Sequence, residues 1–194
     1  MPGCLLWQLP ARSGRACGTP AKEASLPNVS LIDQMLLHVS TCKIAQISLL
    51  SNSTGRSPMP VNAMMIRVVS DRLGLAGEHL RAGDYFLQAS QFRSAISRHY
   101  YAMYHAARAI TFGVVGGDDH QQHSVLPRNL PQSLPSVAAL EIELTDARLL
   151  RNMADYDPYP VSIGDWEADA RRLSSTAASF VSECEDFALG NGLI

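Results

Sequence analysis

The chain has 194 residues, 46% of them hydrophobic, which suffices for one ordinary domain and is too little for two full ones. The net charge is −2; residues 1–63 carry Arg12, Arg15, Lys22, Lys43 and Arg56 against Glu23 and Asp33, a net of +3, so the remainder stands at −5 and its 11 bases are all arginine. A net-acidic remainder excludes the broad basic field of a non-specific nucleic-acid binder, so any RNA contact has to be local.

Residues 1–61 are rich in Pro, Gly, Ser and Thr and show no helical period before Leu31. They are expected to be a disordered or loosely attached extension, or the product of an upstream start, since Met64 and Met65 stand just before the ordered pattern. Met1–Gly18 lacks a charged start followed by an apolar run, so it is no secretory signal. Leu31–Leu50 is a weakly amphipathic helix candidate. Asp33, Gln34, His38, Lys43 and Gln46 within it rule out a membrane span. Cys4, Cys17, Cys42 and Cys184 form no C-x-x-C pair, which argues against a zinc site or a disulfide framework. Cys184 falls on an apolar stripe and reads as a core residue. Reduced thiols and the lack of a span point to a cytoplasmic protein with no membrane partner.

The domain proper is expected over 62–194. Its first helix spans about 62–88, with Ile66, Val69, Leu73, Ala76, Leu80, Gly83 and Leu87 on one stripe. Ser90 is a candidate cap for the next helix, which spans about 91–113. There Phe92, Ile96, Tyr100, Met103, Ala107 and Ile110 share one sector, and Arg98, Tyr101, His105, Arg108 and Phe112 fill another. A surface helix would place Lys, Glu and Gln on that second face; aromatics and arginines there imply contact on both sides. Gly113, Gly116 and Gly117 are expected to end it. Residues 116–135 form a loop. A third helix follows at about 136–155 with Ala139, Ile142, Leu149, Leu150, Met153 and Ala154 toward the core, stopped by Asp157-Pro158-Tyr159-Pro160. A fourth, about 163–189, carries Trp166, Ala170, Leu173, Ala177, Phe180, Cys184 and Phe187, with Ser162 as a possible cap. Four helices with short or proline-rich connections predict an all-α, antiparallel, up-and-down four-helix bundle.

Three groups of residues can carry chemistry. Arg151, Asn152, Asp155 and Tyr156 cluster at the end of the third helix, with Arg151 and Asp155 four apart on one face. They read either as a phosphate-binding arginine oriented by a carboxylate or as an i,i+4 ion pair, and the residues alone favour the pair. Arg98, Tyr101 and His105 align along the second helix. They offer charge for a phosphate and an acid–base group, or else the amphipathic bodies of an interface, and both readings stay open. His120 and His123 beside Asp118 and Asp119 have metal-compatible spacing, but in a glycine- and proline-rich loop they read as solvated residues. No phosphate loop, G-x-S-x-G elbow or H-E-x-x-H motif occurs, and no metal or cofactor is expected.

The run Ser94-Ala95-Ile96-Ser97-Arg98-His99-Tyr100-Tyr101-Ala102-Met103-Tyr104-His105-Ala106-Ala107-Arg108-Ala109 resembles the second-helix signature of prokaryotic HEPN (higher eukaryotes and prokaryotes nucleotide-binding) proteins. Arg151 through Asp157 resembles their Arg-x-x-Ala-Asp-Tyr segment, and the similarity covers about Ile66 to Leu189. The resemblance implies a bundle that dimerises and is often paired with a minimal nucleotidyltransferase in toxin–antitoxin modules. It also implies, for many members, metal-independent ribonuclease activity from an Arg, a following polar residue and a His separated from the Arg by four to six intervening residues, paired across the dimer. Here Arg151-Asn152 is present, but Tyr156 stands where that His would be, and tyrosine, titrating near pH 10, is a poor base at neutrality. Arg98 and His105 satisfy the spacing on a different helix. Tyr156 resembles instead a tyrosine that some partner nucleotidyltransferases adenylylate. The expectation is a weakly catalytic or non-catalytic module that binds a nucleotide or RNA phosphate through Arg98 and Arg151, with Tyr101, Asn152 and Asp155 around them. Two other readings remain: a ribonuclease toxin using Arg151 with His105 or Tyr156, and a purely structural homodimer.

Overall fold

A computed structural model describes residues 30–52 and 60–194, and no strand occurs among them. The long helices are α3 (Val61–Gln88), α4 (Phe92–Val115), α5 (Val137–Tyr156) and α6 (Glu167–Gly190); two shorter ones, α1 (Leu31–Thr41) and α2 (Ile44–Asn52), precede them. Short 3-10 turns at Leu126–Asn129 and Ile163–Trp166 lead into α5 and α6. The all-α bundle predicted from the hydrophobic period is therefore present, with α3 to α6 as its four long members.

The bundle is built around α4, which packs on α3, α6 and α5. All six residues of its expected core sector are buried. On its other sides Ala95, Ala102, Ala106 and Ala109 are fully enclosed, and their small side chains let three neighbours approach at once. A helix contacted on most of its sides is what its missing Lys–Glu face implies, with Arg98 left exposed. On α6, every residue of the expected stripe, Cys184 included, is buried, each large one stabilising the fold by about 1.5–3 kcal/mol. α4 runs past Gly113 and ends at Gly116, whose φ of +83° a glycine adopts without strain.

Several expectations are corrected. Ile66 is half exposed, and Met64 and Val68 are buried in its stead. On α5 the inward face is Leu140, Leu144, Ala147 and Ala154, whereas Ile142, Leu149 and Met153 are exposed, Ala139 is exposed and Leu150 is only partly buried. The helix carries two apolar stripes of similar strength, and periodicity cannot choose between them; packing against α4 does. Arg151 then falls on the inward face, between Ala147 and Ala154. Ser90 has a positive φ and Gln91 takes the cap position of α4, while Ser162 makes no side-chain cap bond.

The expected extension also differs where it is described. α1 and α2 pack on α3 and bury Val39, Cys42 and Ile47. Ser30 caps α1 by accepting from the Asp33 N–H at 3.1 Å. The junction between α1 and α2 lies on the loop after α4: the Asp118 N–H donates to the Cys42 carbonyl at 2.8 Å, and Asp119 accepts from the Ile44 N–H at 2.9 Å. A Cβ on Gly117 would meet the Ile44 nitrogen at 2.4 Å, so this close approach requires glycine. Residues 1–29 and 53–59, which include Cys4 and Cys17, lie outside the described residues.

Candidate functional site

Arg151 reaches from α5 across the seam to α4. Its Nη2 donates to the Tyr101 hydroxyl at 2.7 Å and its Nη1 to Asn152 Oδ1 at 3.2 Å, and its Nε forms an ion pair with Asp155 Oδ2 at 2.7 Å. The guanidinium lies over the rings of Tyr101 and Tyr156, 5.3 and 5.4 Å from their centroids. Burial works against its charge, but Asp155 and the two phenols outweigh burial and hold the group above the ordinary arginine value. The ion pair expected from i,i+4 spacing is thus real, and it is one part of a larger arrangement that includes Tyr101 and Tyr156.

Arg98 is exposed, one turn before Tyr101. It lines a hollow of about 280 Å³ with Arg93, Ser97 and Asp155, and the Ser97 hydroxyl donates to Asp155 at 3.4 Å. Asp155 therefore separates Arg98 from Arg151 while bordering both. His105 faces elsewhere: it lines a cavity of about 450 Å³ among α1, α3 and α4, with Arg72 and Arg108. Its ring is parallel to that of His79, with centroids 5.2 Å apart, and both stack on Tyr101. Burial first, then the nearby His79, Arg108, Arg72 and His123, push the His105 pKa down to about 4, so its ring is neutral at pH 7. Burial and Arg98 lower that of His79 as well.

The loop expected to be solvated supplies two parts of the structure. Asp118 is buried and receives Arg72 Nη2 at 3.2 Å and Arg108 Nε at 2.9 Å, with a second bond from Arg108 Nη2. Its carboxylate is shared by two guanidinium groups. His123 is exposed, and one face of its ring lies against the aromatic residues of α4. Its ring stacks on Tyr104 at 4.1 Å and meets Tyr101 edge-on at 6.1 Å, and its Nδ1 is 2.5 Å from the Tyr100 hydroxyl. Burial, then Arg151, Arg108 and Arg148, lower its pKa. Burial raises that of Tyr100, so this phenol keeps its proton.

Sequence reasoning does not single out Tyr104 or Arg148, takes Tyr100 as a core residue, and weighs His123 only as a metal-compatible loop residue that it reads as solvated. Tyr100 and Tyr104 carry a signal, being four apart on α4, and Arg148 lies three residues before Arg151 on α5. His123 carries none, because a loop's path is fixed by what it packs on. Arg148 has a buried Nε with no hydrogen-bond partner.

Comparison with known proteins adds one match. A family model described as HEPN domain matches residues 69–187, more than half of the chain, from within α3 to near the end of α6. No curated protein and no solved structure matches.

Proposed function

The chain belongs to the HEPN family, and from that membership we propose that it binds the phosphate of a nucleotide or RNA at the α4–α5 seam, with little or no catalysis, as the partner of a nucleotidyltransferase in a toxin–antitoxin-type module. The observation that carries this reading is Arg151, held by Tyr101, Asn152 and Asp155 with its guanidinium against two aromatic rings. A guanidinium fixed by neighbours loses less freedom on meeting a phosphate than a mobile one, and its planar fork suits phosphate oxygens. Arg98, across Asp155, supplies a second charge at the same seam.

Two features favour binding over cleavage. Tyr156, at the position of the family's histidine, is 71% exposed and offers its ring to Arg151. His105 lines a different cavity from the Arg98 hollow and has little affinity for a proton at neutral pH. The exposure of Tyr156 is also what adenylylation by a partner enzyme would need. The test uses the full chain and its Arg151→Ala variant with fluorescent single-stranded RNA and with ATP, in EDTA. Wild type is expected to bind without cutting, and the variant to bind at least about tenfold more weakly. Cleavage by wild type that Arg151→Ala abolishes would replace this reading with the ribonuclease; equal binding by both proteins would leave only a structural module.

We further propose a homodimer through the outer face of α5, where Ile142, Leu149 and Met153 lie exposed in one stripe. Sedimentation velocity of Leu149→Asp tests it. A dimer in wild type and a monomer in the variant is the expected pair of results, and an unchanged dimer would place the interface elsewhere.

A further inference from the structure

We propose that His123 is a second phosphate ligand of this site, donating its Nε2–H to an oxygen of the phosphate that Arg151 holds, and that Tyr100 is the positioning residue that fixes this donor. The inference rests on the phosphate-binding reading above and adds to it a residue from outside both helices of the seam.

The backbone around His123 is tied down on both sides. Asp118 and Asp119 clasp the α1–α2 junction before it; Leu126 and Pro127 are buried after it. Between them the Tyr104 hydroxyl donates to the Gln121 carbonyl at 2.7 Å, and the N–H groups of Val125 and Leu126 both donate to the Gln122 carbonyl at 2.9 Å. The ring is then pinned face-on by Tyr104 and edge-on by Tyr101. The ring is thus held by three side chains of one helix, α4, on a loop tied down before and after it.

Its tautomer follows from Tyr100. That phenol is 1% exposed, and His123 Nδ1 is its hydrogen-bond partner among the described residues. Were Nδ1 the donor, the buried phenolic hydrogen would be left without an acceptor, at a cost of about 1–3 kcal/mol. The phenol therefore donates, Nδ1 accepts, and the ring proton sits on Nε2. The ring, on an exposed residue, thus offers a donor. Its surroundings are cationic: Arg151, Arg108 and Arg148 all bear on it. Asp118 is taken up by Arg72 and Arg108, and Asp155 by Arg151, which leaves Arg148 without an ion pair among the described residues. A fixed N–H donor beside guanidinium groups in surplus over carboxylates is suited to an oxyanion. The same geometry argues against His123 as a base, because its one lone pair already accepts from Tyr100.

The two amides separate the ring nitrogens. A glutamine amide reaches to the level of Nε2, whereas an asparagine amide stops at the level of Nδ1. The experiment measures AMP and a fluorescent single-stranded oligonucleotide against the full chain and its His123→Ala, His123→Gln, His123→Asn and Arg151→Ala variants, with thermal melting confirming that each is folded. His123→Ala and His123→Asn are expected to weaken binding about tenfold and His123→Gln about threefold or less. Whichever probe binds more tightly identifies a free nucleotide or an RNA chain as the source of the phosphate. Ring-nitrogen NMR of wild type is expected to show the proton of His123 on Nε2, and Tyr100→Phe to give a mixture of tautomers. Undiminished binding in His123→Ala, alongside a loss in Arg151→Ala, would overturn the role of His123 and spare that of Arg151. Failure of wild type to bind either probe would overturn both. Equal losses in the glutamine and asparagine variants, or a wild-type ring protonated on Nδ1, would refute the donor assignment.

Discussion

Two arginine clusters lie against α4, and they differ in how their charge is met. Around Asp118, Arg72 and Arg108 converge on one carboxylate whose side chain is 1% exposed, and Arg72 also donates to the Ser40 carbonyl of α1. At the α4–α5 seam Arg151 has Asp155, which is exposed, and two phenols, while Arg148, one turn before it on α5, has no ion pair among the described residues. The first cluster is closed and ties the loop, α1 and α3 to α4. The second has in Arg148 a guanidinium with no ion pair among the described residues, and it is this surplus that the proposed anion site uses. Arginine at helical spacing means little by itself; whether a buried acid reaches it separates a clamp from a binding site.

Replacing the central acid of each cluster would break this comparison if the two are in fact alike. Asp118→Ala leaves two guanidinium groups buried without a counter-charge, and the expected loss is about 3–5 kcal/mol of unfolding free energy, read from urea denaturation. The expected accompaniment is earlier proteolytic cutting at Lys43, which donates to the Asp118 carbonyl at 2.9 Å. Arg151→Ala, measured the same way, is expected to cost about 1 kcal/mol or less, since its ion pair borders solvent, while losing ligand. Equal stability losses in the two variants would erase the distinction between clamp and site.

The sequence made the bundle legible because α4 and α6 each carry one dominant stripe and proline and glycine mark the breaks. It left α5 ambiguous: Leu149 and Met153 are as apolar as Leu144 and Ala147, and only the neighbours decide which face turns in. The pairing of Arg151 with Asp155 follows from spacing on one helix, and its contact with Tyr101 from two helices lying side by side. The roles of Asp118 and His123 were hidden for a different reason. Both come from a loop whose course is set by Gly117 meeting the backbone of Ile44 and by Tyr104 holding Gln121, contacts between residues far apart in the chain or on different elements, with no period to reveal them. The same contacts hold residues 40–44 to the bundle, in a segment whose composition suggested a loose tail.

His105 stands on the border between the clusters and gives the smaller, sharper test. Burial first, and then His79, Arg108, Arg72 and His123, disfavour a proton on its ring. An unfolded chain takes up this proton near the ordinary histidine value of 6.5, the folded one only near 4. Between those values unfolding binds a proton, so stability is complete above about pH 6.5 and falls as pH drops toward 4. Because the ring is partly solvated, the loss assigned to it is about 1–2 kcal/mol, less than the full shift implies. Urea denaturation of wild type at pH 7.5 and 5 should show a decline that His105→Gln reduces. His99 and His123, also held below their ordinary values, keep part of the decline in the variant. If His105→Gln leaves the pH dependence unchanged, burial and the charges around this ring do not hold its proton off in the folded protein, and the decline comes from other groups.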